Sequence, residues 1–153
     1  MILTALRLLL GWKGDERGAA ALDFAIVSLP LFLFLFGVAE FSRAIWIEEA
    51  LQNTASTVAR CIGVSASNCT LSGSYDQGTT KAYAENVAAG WGVALTDQNV
   101  TVSNAAASCP GSTGVTGTFA TVTLHYPFST VAQSLVPALA SQTLTAQACF
   151  LMN

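Results

Sequence analysis

Hydrophobic positions follow three patterns along the chain. A leader that mixes apolar and basic residues reaches Arg17, an almost unbroken apolar run covers 19–39, and beyond Glu40 the apolar residues become periodic. The run has Asp23 as its single charged member and holds roughly 20 residues; as a helix it would measure about 32 Å, enough for a hydrocarbon core of ~30 Å. From Glu40 onward Phe41, Ala44, Ile45, Leu51, Ala55 and Val58 recur at spacings of three and four. Glu40, Arg43, Glu49, Gln52, Asn53 and Arg60 fall largely on other faces, which makes the pattern amphipathic. No Gly or Pro interrupts 38–62. The pattern therefore predicts one helix of about 42 residues, roughly 60 Å long, apolar all round in its first half and one-sided in its second. Pro30 removes one backbone hydrogen bond inside it and predicts a kink of the kind membrane helices tolerate.

Past the long helix the periods shorten. Tyr83, Val87 and Trp91 form an i, i+4, i+8 stripe that predicts a helix from about residue 79, ending near Gly90 and Gly92, with Trp91 in the core. Val100 and Val102 alternate with polar residues and predict a first strand. Ala120, Val122, Leu124 and Tyr126 define one face of a second, with Thr121, Thr123 and His125 opposite; Leu144, Ala146, Ala148 and Phe150 do the same for a third. Pro127 and Pro137 bracket a segment with room for a short helix. The expected fold is α+β: a long N-terminal helix, half transmembrane and half amphipathic, packed on a small antiparallel sheet of about three strands with one or two short helices. The expected organisation is a cytoplasmic basic leader at 1–18, a transmembrane half-helix at 19–39, an amphipathic half-helix at 40–62 and an extracytoplasmic domain at 63–153.

Charge sharpens this picture. Of 153 residues 52% are apolar and only 10% charged, against roughly 25% in an average soluble domain. Arg7, Lys13 and Arg17 precede the apolar run, whereas Arg43 alone follows it closely, among Glu40, Glu48 and Glu49. Counting Lys and Arg near the ends puts the N-terminus in the cytoplasm and the bulk of the chain outside. Residues 98–153 contain no Asp, Glu, Lys or Arg, a surface that dense neighbour packing in a polymer or complex would tolerate. Six Lys/Arg against nine Asp/Glu leave no basic footprint for nucleic acid.

The four cysteines, Cys61, Cys69, Cys109 and Cys149, all lie on the outward side, which fits an oxidising compartment. Three pairings are open to them. Cys61–Cys69 with Cys109–Cys149 is the expected one, because the first closes a short Gly/Ser loop after the long helix and the second ties a loop to the last strand. Without a C-x-x-C spacing, and with one His, no metal site is expected.

At the front of the helix the residues run Arg17-Gly18-Ala19-Ala20-Ala21-Leu22-Asp23-Phe24. A Gly after a basic leader, an acid five residues on, then an aromatic and a long apolar run resembles a class IV prepilin processing site. The stretch from Gly18 to Arg60 resembles the TadE-like family of minor pseudopilins, which belong to the tight-adherence (Flp, type IVc) pilus systems. That resemblance implies cleavage by a prepilin peptidase between Gly18 and Ala19, with Asp23 as the fifth residue of the mature chain and Phe24 beside it. It further implies a single-pass inner-membrane protein, found in the pilus after assembly, whose partners are other pilins and pseudopilins and the assembly platform of the inner membrane. An acid inside the apolar run costs several kcal/mol unless paired. The free α-amino group of a neighbouring subunit would pair it. The family usually has Glu where this chain has Asp, which is one methylene shorter.

Two other readings fit the same stretch. A basic leader, an apolar region from 24 to 36 and Gly37-Val38-Ala39 before Glu40 form a secretory signal, whose cleavage would release a soluble domain. Left uncut, the run is a simple anchor. Either would serve a surface-binding, adhesin-like module without a pilus role. No enzyme is expected and no cofactor: His125 falls on a polar strand face with no carboxylate near it in sequence. Gly111, Gly114 and Gly117 sit in a Ser/Thr loop that lacks the Lys of a phosphate loop.

Overall fold

The computed structural model describes residues 16–109, 117–130 and 142–152. The chain forms two compact units, Met1–Ala39 and Glu40–Asn153, and helix α1 (Glu16–Gly63) runs through both. In the first unit the helix carries Pro30 in its interior without interruption. The large apolar side chains there are exposed; Phe24, for instance, is 72% exposed. A helix that shows such residues on every side is stable only in a non-aqueous surround. Among the described residues this is the one helix long and apolar enough to cross a membrane, with a mean hydropathy of 2.2, as in a single-pass membrane protein.

In the second unit α1 buries Ile47, Ala50, Leu51, Thr54, Ala55, Val58, Ala59 and Ile62, a three–four spacing that keeps one stripe against the core. Two of the expected members of that stripe do not belong to it. Phe41 is 69% and Ile45 46% exposed. This part of α1 has two adjacent apolar stripes, and only the one through Ile47 and Leu51 meets the sheet. Thr54 disguises that stripe in the sequence; its hydroxyl is satisfied by donating to the Ala50 carbonyl at 2.8 Å.

The sheet has three antiparallel strands in the order β3 (Val100–Ala106), β4 (Phe119–Phe128), β5 (Gln142–Leu151). Val122 stands opposite Val102 on one side and Ala148 on the other. Alternation then turns Val100, Val102, Ala120, Val122, Leu124 and Ala146 toward the core cluster that holds the α1 stripe. Pro127 lies in β4 itself, opposite Thr143. The β3 ladder begins only at Val100–Leu124, so Pro127 sits where β4 is paired to β5 alone and takes no bond from β3. The short helix expected between Pro127 and Pro137 falls outside the described residues.

Helix α2 (Gln77–Gly90) begins at Asp76, whose Oδ2 accepts from the Thr79 amide at 2.7 Å and the Thr79 hydroxyl at 2.8 Å. Its buried face is Thr80, Ala84 and Ala88, not the expected Tyr83–Val87–Trp91 stripe. Small side chains let the helix approach β3 closely, and the large ones rim the contact. Strands β1 (Thr70–Leu71) and β2 (Ser74–Tyr75) form an additional hairpin. Both residues of its two-residue turn, Ser72 and Gly73, have positive φ, 54° and 83°, the arrangement that matches the strand twist. The Tyr75 hydroxyl above it is buried without a hydrogen-bond partner among the described residues; burial, then the neighbouring Asp76 charge, holds its pKa above the ordinary value. Disulfides Cys61–Cys69 and Cys109–Cys149 tie the end of α1 to the turn before β1 and the segment after β3 to β5, with Cα separations of 6.0 and 5.9 Å.

Candidate functional site

The residues singled out at the front of the chain share the first turns of α1. Gly18 is exposed, and a Cβ built there would meet nothing within 4 Å. Its lack of a side chain is therefore not a packing requirement of this fold. Ala19 follows in the same helix. Asp23 and Phe24 occupy consecutive exposed positions, and Asp23 has no ion pair among the described residues. From Gly18 to Ala39 the helix presents one carboxylate on an otherwise uncharged surface, five residues after the glycine.

The stretch 18–60 matches the family model for TadE-like protein. Over that stretch, less than a third of the chain, the sequence is similar to TadE-like protein. Neither the comparison with curated proteins nor that with solved structures gives a match. The apolar half of the matched segment is the candidate membrane span. The match begins on Gly18 and ends on Arg60, so it takes in both the exposed apolar half of α1 and nearly all of the stripe that builds the core of the second unit.

Two side-chain clusters lie on the second half of the TadE-like segment. In one, Arg43 lies 3.6 Å from the Glu40 carboxylate, donates to the Ser129 carbonyl at 3.1 Å and stacks its guanidinium 5.1 Å from the Phe128 ring centroid. In the other, Trp46 meets Trp91 edge to face, with centroids 5.9 Å apart and planes at 61°. Trp46 Nε1 donates to the Trp91 carbonyl at 3.3 Å. These two indoles and the polar face of α1 line a groove of about 490 Å³.

Trp91 was expected in the core and is 40% exposed. Local chain chemistry explains its position. Gly92 adopts φ 77° and its amide donates to the Ala89 carbonyl, while the Val93 amide donates to Ala88. That double bond pattern ends α2 with a left-handed residue. It sends Val93 inward, 2% exposed, and leaves the preceding Trp91 at the surface. The Trp91-Gly92 pair at a helix end was the available signal. His125 is exposed on β4, its Nδ1 3.2 Å from Thr145 Oγ1 across the β4–β5 pair. Among the described residues no group of three or more His, Cys, Asp or Glu gathers to hold a metal.

Proposed function

We propose that this chain is a minor pseudopilin that takes part in assembling a tight-adherence type IV pilus, after a prepilin peptidase cuts between Gly18 and Ala19 on the cytoplasmic face. The observation that carries the reading is that the TadE-like match begins on Gly18, a glycine the fold has no use for. Inside a helix, Gly is less stable than Ala by about 1 kcal/mol. Recognition by the peptidase accounts for that cost. Asp23 supports the same reading. On an apolar surface at a bilayer its charge needs a partner, and cleavage creates one in the α-amino group of Ala19 on a neighbouring subunit.

The α1 helix would anchor the chain with its N-terminus inside until the assembly platform extracts it, and apolar helices would then bundle with those of other pilins and pseudopilins. No catalytic role is assigned to any residue. The test is the intact mass and N-terminal sequence of the mature protein from its native membrane. A chain that starts at Ala19 supports the proposal. A start at Glu40 replaces it with a secreted domain, and an uncut leader with a simple anchor. Asp23→Ala should leave cleavage largely intact and lower recovery in the pilus fraction; full recovery would argue against pairing at Asp23.

A further inference from the structure

We propose that the groove between Trp46, Trp91 and the polar face of α1 receives the guanidinium or ammonium group of an arginine or lysine side chain from a partner protein. Its lining holds one carboxylate, Glu49, two indoles and the side-chain amides of Gln52 and Asn53. The Trp46 N–H is already spent on the Trp91 carbonyl, and both indoles keep exposed surface, 57% and 40%, on rings whose π faces carry the negative part of the quadrupole. Glu49 lines the groove, is exposed, and has no ion pair among the described residues. The Gln52 amide donates to the Gln147 carbonyl at 3.2 Å, leaving its oxygen as an acceptor. No Lys or Arg is among the lining residues. An aromatic pair beside an unpaired carboxylate is the environment in which a cation gains most, through cation–π attraction and charge pairing together.

The molecule already uses this chemistry nearer the start of the second unit on the same helix. Glu40, Arg43 and the Phe128 ring form the filled version of the constellation, carboxylate, cation and aromatic face. Around Trp46, Glu49 and Trp91 the carboxylate and the aromatic faces recur without the cation. The chain's own cations in the second unit do not supply it. Arg43 is engaged as described. Lys81 lies 3.3 Å from Asp97 and donates to its carbonyl. Arg60 lies on α1 itself, three turns beyond Glu49 and about 16 Å away along the axis. None of these three lines the groove, and arginine against tryptophan is a common centre of binding energy between proteins. The contact is available whether or not the chain is cut at Gly18, so it can fail or hold independently of the pilus reading.

The test uses the full chain in detergent with Trp12→Phe, so that Trp46 and Trp91 are the fluorescent reporters. Titration with a capped Gly-Arg-Gly peptide should give a saturable change with a Kd of about 1 mM, absent with the citrulline analogue and about tenfold weaker after Glu49→Gln. Equal response to citrulline, no effect of Glu49→Gln, or tighter binding of choline chloride than of the arginine peptide would overturn the proposal. In the native membrane, a photo-crosslinker at Gln52 should join a partner at a helix face within one turn of an Arg or Lys. Glu49→Arg should abolish that crosslink, and reversal of the partner's cation to Glu should restore it. Crosslinking to Arg60 of a second copy, or to a segment without a basic residue, would also overturn it.

Discussion

Arg43 lies over the ring of Phe128, its guanidinium carbon 5.1 Å from the ring centroid, while one of its nitrogens donates to the carbonyl of the next residue, Ser129. The end of β4 is thereby fastened to α1 at the first turns of the second unit. A single planar cation does both, because the guanidinium can stack with its face and donate from its edge at once. Glu40, three residues back on the helix, keeps the charge paired.

Arg43→Ala should therefore lower the stability of the full chain by about 1 kcal/mol. Arg43→Lys should recover less than half of that, since an ammonium cannot stack and donate sideways together. Urea unfolding in detergent measures both. Equal stability of Lys and Arg would mean that charge alone matters at this position.

Gly63 closes α1 against β5. A Cβ there would overlap the Phe150 ring. Gly63→Ala should cost about 1–3 kcal/mol by overpacking, even though Ala is the better helix former. Combining it with Phe150→Ala should remove most of the penalty, and strict additivity of the two changes would rule the overlap out.

Asp76 is held below the usual carboxylate range, chiefly by the Thr79 amide and then by the Thr79 hydroxyl. A carboxyl group with a lowered native pKa adds stability above its unfolded value near 3.8 and loses it as pH falls through the lower native value. The wild-type chain should thus lose stability on acidification through and below that point, and Asp76→Asn, which keeps a capping oxygen, should flatten this part of the profile. The melting temperature against pH, compared between the two chains, checks the sign.

The disulfides differ in the length of chain they close, with separations of 8 residues for Cys61–Cys69 and 40 for Cys109–Cys149. Chain entropy alone assigns them about 2.5 and about 4 kcal/mol. Replacing both members by Ala should cost more at Cys109–Cys149 on that ground. Cys61 and Cys69 are buried, Cys69 fully, so their pair also loses packing; if its removal proves the costlier, packing outweighs loop closure here.

The three strands are legible because each alternates cleanly. Val122 and Leu124 against Thr121 and Thr123 leave one choice of face. The long helix is legible from its apolar run, and the front of the TadE-like segment from Gly18 and Asp23. Other features depend on partners distant in sequence. The sheet decides which of two apolar stripes on α1 is buried, so periodicity alone favours Phe41 and Ile45 as core and does not reveal Thr54. Trp91 looks like core because it continues a helical period, and only the left-handed Gly92 turns it out. Trp46 stands three residues before Glu49 on α1, but nothing near them in sequence indicates the second indole, since Trp91 arrives from the end of another helix.

The core also has an order in time. Ile47 to Ile62 leave the ribosome before any strand of the sheet. The strand that completes the sheet, Gln142–Leu151, is made after the other two. Helix and closing strand are far apart in sequence, and such long-range contacts form slowly. Between the two events the buried stripe of α1 has no sheet to cover it and stays open to association with other chains. Cys109–Cys149 can close only after that interval. The newborn second unit is thus exposed longest on the very helix that carries most of the 18–60 match.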